Sequence, residues 1–374
     1  MAPTPNELPC QKTTLTDMRT SKVADVEVVL VTGGAGFVGS HTIIELLNVG
    51  YQVVVVDNCL TSKPPRKGET LPAVLRRVQD ITGMNLDFHM VSLLDRQALR
   101  KVFLLYKVDV VIHFAALKAV GESVKRPLDY YHNNLTGTIT LLQVMSEVGC
   151  KRLVFSSSST VYGSAQYFPT DEEHGTGVGI TNPYGRSKYV CEQIMKDLTV
   201  ADKEWRVVLL RYFNPVGAHE SGLIGDDPLG VPVNLMPYLA QCAVGRRDVV
   251  HVFGGDWDTP DGTCVRDYMH VVDLAKGHNA ALAKVSDKKF TGAKAYNLGR
   301  GKGISVLEMI SAFSKACGKE IPYKIVGRRR GDVRRTTCSG TLAEKELSWK
   351  SSRTVDDMCR DVWRWQSKNP NGYE

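Results

Sequence analysis

The chain has 374 residues, 43% hydrophobic and 23% charged, a composition ordinary for a soluble globular protein. Its formal charge of +7 is dispersed, and one short basic cluster at 328–335 without interleaved aromatic residues favours a small anionic ligand or a solvated surface over nucleic acid. No apolar stretch approaches the ~20 residues of a membrane span, and nine scattered cysteines without a Cys-x-x-Cys motif predict reduced thiols, no metal site and a cytoplasmic location.

Residues 1–26 are polar and lack both an apolar signal core and an arginine-rich amphipathic pattern, so we expect a loose N-terminal extension. Beyond them, apolar runs and helix-like segments alternate. Strands are predicted at 28–31, 52–56, 86–91, 110–116, 152–155 and 206–213, and helices at 40–47, 71–81, 95–105, 127–148 and 183–198. This βα alternation predicts an α/β fold in which 27–213 forms a Rossmann-like, doubly wound parallel sheet.

The pattern changes near Asn214. Glycine and proline become dense and the elements become short, which predicts a smaller mixed α/β lobe over 214–374 that covers the strand ends. Part of this stretch, 267–300, returns toward the first domain. Residues 267–282 are typical of a strand end and a helix, and 296–299 of a strand that rejoins the main sheet. We therefore expect the two lobes to interleave.

A glycine turn follows the first predicted strand directly. Gly33, Gly36 and Gly39 lie between that strand and a helix, an arrangement that lets the backbone approach a pyrophosphate and directs the positive end of the helix dipole toward it. The second strand ends in Asp57, 24 positions after Gly33, where a carboxylate meets an adenosine ribose 2′-hydroxyl. Because a 2′-phosphate would be repelled, the pair predicts NAD rather than NADP. An ordinary glycine-rich turn is the alternative.

Tyr184 and Lys188 are four residues apart near a helix start, so both side chains can face one ligand. A phenol with its ordinary pKa of about 10 is a poor base at neutral pH. A nearby ammonium and a positive nicotinamide ring would lower that pKa. Ser158 ends the preceding strand, where its hydroxyl can bond to Tyr184 and to a substrate hydroxyl. These three are the predicted catalytic residues; a serine-rich helix cap and a buried structural tyrosine are the alternatives.

Several separated segments then carry a family resemblance: 32–39, 114–123, 156–163, 182–188, 211–215, 261–268 and 363–366. Together they resemble the extended short-chain dehydrogenase/reductases, and within them the nucleotide-sugar 4-epimerases. The resemblance implies that NAD stays bound while Tyr184 removes the 4-hydroxyl proton of a UDP-hexose and C4 gives up a hydride. The 4-keto sugar then turns about its diphosphate and takes the hydride back on its other face. The resemblance also implies a homodimer. The residues alone do not separate epimerisation from simple oxidation.

By position, the resemblance implies two sets of binding residues. NAD is implied to contact Gly33, Gly36, Phe37, Val38, Gly39, Asp57, Asn58, Thr61, Ser62, Ser92, Leu93, Phe114, Lys118, Asn134, Tyr184, Lys188, Tyr212 and Phe213. The UDP-hexose is implied to contact Ser158, Ser159, Thr160, Asn214, Asn234, Leu235, Phe253, Arg266, Arg329, Asp332 and Thr336. Two arginines suit a diphosphate because each guanidinium can donate two parallel hydrogen bonds. A solvated basic loop and a structural ion pair are the alternatives for Arg329 and Arg266.

Several positions depart from the family pattern. Ser92 stands where relatives carry an aspartate that receives the adenine amino group, so we expect adenine binding to be weaker by ~1 kcal/mol. Other replacements change the charge or polarity near the nucleotide: Val233, His251, Arg300, Lys302 and Arg330.

Thr336 falls where relatives carry either a bulky tyrosine or a small cysteine beside the sugar. The small residue accompanies acceptance of N-acetylated sugars in the family. We therefore expect Thr336 to leave room for UDP-N-acetylglucosamine and UDP-N-acetylgalactosamine.

Three other functions share parts of these signals. A nucleotide-sugar 4,6-dehydratase needs an acidic pair beside the active-site hydroxyl, where this chain has Ser159 and Thr160. An NAD-dependent sugar dehydrogenase would consume NAD stoichiometrically and accumulate NADH. A non-catalytic dinucleotide sensor would have no use for Tyr184 and Lys188 at helical spacing.

Overall fold

The computed structural model describes residues 26–329 and 331–373. The expected N-terminal extension, except Val26, and the replaced position Arg330 lie outside the described residues.

The first part of the chain builds the predicted alternation, with β3 shorter than expected. Its strands are β1 (Val28–Thr32), β2 (Gln52–Val56), β3 (Asp87–His89), β4 (Val110–His113), β5 (Arg152–Ser158) and β6 (Arg206–Tyr212). Its helices are α1 (Phe37–Asn48), α2 (Ala73–Thr82), α3 (Arg96–Tyr106), α4 (Val120–Lys125), α5 (Pro127–Tyr131), α6 (Gly137–Val148) and α7 (Pro183–Ala201).

The second part has shorter strands and mixed connections. Its strands are β7 (Asn214–Val216), β8 (Val250–Phe253), β9 (Val265–His270), β10 (Gly292–Leu298), β11 (Gly303–Ser305), β12 (Tyr323–Val326) and β13 (Arg335–Thr336). Its helices are α8 (Leu235–Ala243), α9 (Val271–Ser286), α10 (Val306–Cys317), α11 (Thr341–Leu347) and α12 (Val355–Lys368).

Within the described residues, seven strands form one parallel sheet in the order β10-β6-β5-β4-β1-β2-β3. The strand order reverses between β1 and β4, and ligands of such sheets bind beyond the carboxyl ends of the strands at that point. The returning strand is β10, whose Leu298 pairs with Tyr212 of β6. The Rossmann-like, doubly wound sheet is therefore confirmed.

Both faces of this sheet are buried. Val29 and Val31 of β1 join an apolar cluster with residues of α1 and α9, while Val28 and Leu30 join a second cluster with residues of α3, α6 and α7. Successive residues of a strand point to opposite faces, so a sheet covered on both sides needs apolar residues at every position. This is why the strands form continuous apolar runs in the sequence.

The C-terminal lobe has its own core, formed mainly by α8, α10 and α12 against β8 and β9. Its strands form two small sheets: β9 pairs with β7, β11 and β13, and β8 pairs with β12. Helix α9 leaves this lobe directly after β9 and packs on α1 of the first part. The chain therefore passes between the lobes more than once, as expected.

Other features of the described chain bear on its class. No helix in 26–329 or 331–373 is both long and apolar enough to cross a bilayer. Over the same ranges, no three or more His, Cys, Asp or Glu side chains form a group that could hold a metal ion. The cysteines at described positions are free thiols.

Candidate active site

A cavity of about 1340 Å³ lies at the carboxyl ends of the parallel strands and extends into the C-terminal lobe. Single small-molecule sites usually occupy about 300–1,000 Å³, so this cavity has room for two ligands. The predicted site residues that line it are Gly33, Gly36, Phe37, Val38, Gly39, Asp57, Asn58, Thr61, Ser92, Leu93, Phe114, Lys118, Ser158, Ser159, Thr160, Tyr184, Lys188, Tyr212, Phe213, Asn214, Asn234, Leu235, Phe253, Arg266, Arg329, Asp332 and Thr336.

The glycine turn between β1 and α1 leaves no space for side chains. Gly33 has a φ of +72°, and a Cβ there would lie 2.7 Å from the backbone nitrogen of Ala115. A Cβ on Gly39 would lie 2.4 Å from the carbonyl oxygen of Gly33. Gly36 is the N-cap of α1 and provides no side-chain cap. The first N–H groups of α1 therefore remain available to an anion in the cavity.

Asp57 lies at the end of β2 and holds the glycine turn against the loop that follows β2. Its Oδ2 accepts a hydrogen bond from the backbone N–H of Ala35 at 3.0 Å, and its Oδ1 accepts one from Cys59 at 2.8 Å. Burial raises the pKa of Asp57, against the effect of these two bonds. Each carboxylate oxygen has a second lone pair, so the group can still accept from a ribose hydroxyl.

The tyrosine and lysine are brought to the cavity by the start of α7. Asn182 caps this helix by accepting the N–H of Gly185 at 2.8 Å, and Pro183 occupies the first turn. Lys188 is 3% exposed, and its ammonium donates to the carbonyl oxygen of Ser156 at 2.6 Å. Tyr184 lies one turn earlier, on the same side of the helix.

Ser158 completes this group at the end of β5. Its Oγ accepts hydrogen bonds from the backbone N–H and the hydroxyl of Thr160, at 3.2 Å and 3.0 Å. Its own proton therefore remains free for a partner in the cavity. The nearby Ser158 hydroxyl lowers the pKa of the Tyr184 phenol.

Burial governs the electrostatics of the two side chains. It raises the pKa of Tyr184, and the Ser158 hydroxyl opposes this shift. Burial also lowers the pKa of Lys188 to about 8.

Two predicted cofactor residues, Ser62 and Asn134, are not part of the cavity lining. Ser62 is buried, while its neighbours Leu60 and Thr61 face the cavity. Asn134 lies in a π-helical turn, His132–Thr136, which separates α5 from α6 in the region predicted as one helix.

The π turn explains the position of Asn134. Its Oδ1 accepts the N–H of Leu117 at 2.9 Å, and its Nδ2 donates to the Leu117 carbonyl and to Ser187 Oγ, each at 3.0 Å. Because its polar atoms are used in this way, Asn134 supports the loop that carries Lys118. Single π turns in helices are frequent at functional sites.

An arginine pair faces the cavity from the C-terminal lobe. Arg329 donates two hydrogen bonds to Asp332, at 2.8 Å and 3.2 Å, and its guanidinium lies 5.3 Å from the centre of the Phe253 ring. Arg266 lies 3.9 Å from the same carboxylate. The structural partner of Arg266 is thus Asp332, while the carboxylate of Asp267 accepts backbone N–H groups from Arg300, Gly301 and Cys338.

Thr336 of β13 lies beside Arg266 of β9, with which it pairs. Its Oγ1 is buried and has no hydrogen-bond partner in the described part of the chain. A buried hydroxyl without a partner loses free energy unless a ligand satisfies it. Thr336 therefore lines the cavity with a small side chain, while its hydroxyl oxygen is buried in the wall.

Sequence reasoning missed two groups at this site. Asp226 lines the cavity from the glycine- and proline-rich stretch after β7; burial raises its pKa, and Lys118 opposes this shift. Tyr130 holds the Lys118 loop by donating to the carbonyl oxygen of Ala119 at 2.9 Å and contacting Glu122 at 2.7 Å. An acid among glycines gave a weak signal for Asp226. The contacts of Tyr130 could be identified only from the folded structure.

Comparisons with known proteins agree with this geometry. The NAD dependent epimerase/dehydratase family model matches residues 29–299. UDP-glucose 4-epimerase from Homo sapiens is 57% identical over 347 residues, covering 93% of this chain and 98% of that protein. The Bacillus subtilis (strain 168) UDP-glucose 4-epimerase is 55% identical over 346 residues, covering 92% and 98%.

A solved structure extends the agreement to three dimensions. The crystal structure of UDP-glucose 4-epimerase from Bifidobacterium longum in complex with NAD+ and UDP matches with a TM-score of 0.88 at 53% identity, covering 92% of this chain and 99% of that chain. The chain belongs to the NAD-dependent epimerase/dehydratase family. Its relatives at these identities are UDP-glucose 4-epimerases, the group toward which the sequence motifs pointed.

Proposed function

We propose that this chain is a UDP-glucose 4-epimerase, an isomerase that interconverts UDP-galactose and UDP-glucose by transient oxidation at C4 with bound NAD. One observation carries the proposal: a single cavity is lined by the dinucleotide turn at Gly33, by Tyr184 and Lys188, and by Arg266 and Arg329. A nucleotide-sugar enzyme that keeps its dinucleotide needs these three elements in one enclosure. The activity named for the relatives is the same.

The residues at the first end of the cavity fit NAD. The free N–H groups at the start of α1 suit the pyrophosphate, and Asp57 retains lone pairs for the adenosine ribose. Lys188 and Phe114 border the nicotinamide half. When bound, NAD supplies a hydride acceptor, a later hydride donor and a positively charged ring beside Tyr184.

The other end suits the UDP group. Arg266 and Arg329 offer guanidinium groups to the diphosphate, and Asp332 orients both. Phe253 provides an apolar surface beside Arg329 for the base. Anchoring at the diphosphate leaves the hexose free to turn, which epimerisation requires.

Between the two ends, Tyr184 takes the proton of the sugar 4-hydroxyl as C4 is oxidised. Ser158 donates its free proton to the reacting oxygen, because its lone pairs are engaged by Thr160. After the 4-keto sugar turns, Tyr184 returns the proton to the same oxygen. Positioned acid–base groups of this kind contribute about 10²–10⁴ in rate.

The side chain at Thr336 supports acceptance of a second substrate pair. Its small size leaves space beside the hexose. On this basis the enzyme also interconverts UDP-N-acetylglucosamine and UDP-N-acetylgalactosamine.

We also propose that the protein is a cytoplasmic homodimer. Each chain then has an NAD-binding domain over 27–213 and a nucleotide-sugar lobe over 214–374. Free thiols suit a reducing compartment. Exposed apolar side chains on α6 and α7, Ile139 and Val200, suit a helical dimer contact. Sedimentation of the purified protein tests the dimer, and a monomer at micromolar concentration would contradict it.

The decisive experiment is incubation of the purified protein with UDP-galactose and no added NAD. The expected product is UDP-glucose without net NADH. Stoichiometric NADH would identify a dehydrogenase, and a 4-keto-6-deoxy product would identify a dehydratase. The neutral side chains of Ser159 and Thr160 in the cavity argue against the dehydratase.

A further inference from the structure

A buried histidine lies behind the cavity wall on α9. His278 is 0% exposed, and its Nδ1 lies 2.9 Å from the carbonyl oxygen of Leu274. A carbonyl oxygen can only accept, so Nδ1 carries the proton and Nε2 is an acceptor. Burial lowers the pKa of His278 to about 4, which keeps the ring neutral at working pH.

The Nε2 atom of His278 faces Tyr212 at the end of β6. The Tyr212 hydroxyl lies 2.5 Å from it and must be the donor, since Nε2 has no proton. Tyr212 also lines the cavity, near enough to Tyr184 for the charge of one phenol to affect the pKa of the other. The only hydroxyl proton of Tyr212 is therefore directed away from the reacting centre.

The same imidazole supports a second aromatic wall. The ring of Phe114, directly after β4, packs on His278 with centroids 4.7 Å apart and an interplanar angle of 54°. The Tyr212 ring is 5.3 Å from it at 65°. One side chain from the second part of the chain thus sets two rings that come from two strand ends of the main sheet.

We propose that His278 is a positioning residue for the reacting half of the cavity. It accepts a hydrogen bond from the Tyr212 hydroxyl, so that Tyr184 is the phenol that exchanges a proton with substrate. It also holds the Phe114 and Tyr212 rings beside the bound dinucleotide. The expected effect of His278 on kcat rests on the proposed function. Its expected effect on NAD retention requires only that the cavity binds NAD.

Replacing His278 with an apolar residue gives a defined defect. In His278→Leu, the Tyr212 hydroxyl loses its acceptor and becomes a second proton donor near Tyr184. We expect at least a tenfold lower kcat, and less NAD retained after gel filtration. The KM for UDP-galactose should change little, because Arg266 and Arg329 lie in the other lobe. His278→Gln keeps an acceptor on a longer side chain and should retain most of kcat.

The double variant Tyr212→Phe/His278→Leu separates positioning from stability. It removes the stray proton together with its acceptor, so its kcat should exceed that of His278→Leu. His89→Leu is the matched control, because His89 Nε2 also hydrogen-bonds a tyrosine hydroxyl, that of Tyr106 at 2.9 Å. Neither His89 nor Tyr106 lines the cavity. This control should retain wild-type kcat and NAD content.

Each measurement is made per folded protein, with folding followed by circular dichroism. Wild-type kcat and NAD content in His278→Leu would overturn the proposal, and so would a double variant no faster than His278→Leu. If His278→Leu does not fold, a His278→Gln kcat at least tenfold below that of the wild type overturns it. A wild-type protein that retains NAD but does not epimerise UDP-galactose refutes the proposed function, while NAD retention still tests His278.

Discussion

The ammonium of Lys188 donates to the backbone carbonyl of Ser156 at 2.6 Å, which ties the start of α7 to the end of β5. Tyr184 and Ser158 are carried by these same two elements. One buried hydrogen bond therefore sets the spacing of the two hydroxyl groups that the proposed reaction uses.

Lys188→Met should remove this bond and leave the Ser156 carbonyl without its donor. We expect kcat to fall by about 10²-fold or more. Lys196→Met on the same helix is the control, since Lys196 does not line the cavity, and should retain wild-type kcat.

In the wild type, the pKa of Lys188 near 8 means that its charge is lost as pH rises, so kcat should decline above about pH 8. A flat profile to pH 10 would contradict this role.

Tyr184→Phe should lower kcat by about 10³-fold, because it removes the phenol that exchanges the proton, and the neighbouring Tyr212 directs its own proton to His278. NAD content should stay near that of the wild type, since the glycine turn is unchanged. Tyr189→Phe, on the same helix but outside the cavity lining, controls for loss of a phenol. Full-speed interconversion by Tyr184→Phe, measured with UDP-galactose, would refute the mechanism.

Ser92→Asp should tighten NAD binding. In the structure Ser92 Oγ accepts the N–H of Leu94 at 3.3 Å and offers no charge to a ligand. A carboxylate gives a charge-assisted bond worth ~1 kcal/mol more, which is about fivefold in affinity. Calorimetry on protein stripped of NAD measures the change. Ser146→Asp adds the same charge at an exposed position on α6 and should have no effect, and equal affinities in both variants would refute the prediction.

Thr336→Tyr should close the space beside the hexose. Turnover of UDP-N-acetylgalactosamine is expected to fall roughly tenfold or more, while turnover of UDP-galactose persists. Thr336→Cys keeps the side chain small and should accept both pairs. If wild-type protein active on UDP-galactose fails on the acetylated pair, Thr336 does not set the selectivity.

Buried neutral histidines should make the protein acid-sensitive. Burial lowers the pKa of His41 and His113 to about 3, against an ordinary 6.5. Between those values only the unfolded chain binds the protons, so stability falls as pH falls. Each histidine contributes about 1.4 kcal/mol per pH unit to the free energy of unfolding.

Urea unfolding at pH 7 and pH 5 with saturating NAD measures this loss. His113→Gln should reduce the difference between the two pH values. His251→Gln, at an exposed position, should leave it unchanged. An identical effect of both substitutions would show that buried histidines are not the cause.

Local patterns account for most of what could be predicted. The glycine turn, Asp57 and the Tyr184–Lys188 pair are defined by spacing along one strand–helix unit, and parallel strands place their carboxyl ends at one edge. The predicted strand at 296–299 overlaps the end of β10, which pairs with β6 at the edge of the main sheet. Ser62 and Asn134 lie outside the cavity lining because burial and a π turn, which depend on neighbouring elements, decide where they face.

The sequence by itself determined the doubly wound sheet and the preference for NAD, and it indicated the residues of the reacting centre, since each follows from short-range periodicity, charge or motif. Only the tertiary structure decided that Asp332 contacts both arginines, that Lys188 bonds the Ser156 carbonyl, and that His278 bonds Tyr212. These contacts join residues far apart in the chain, and their hydrogen-bond directions depend on burial. Sequence spacing carries no information about contacts between distant residues or about the direction of their hydrogen bonds.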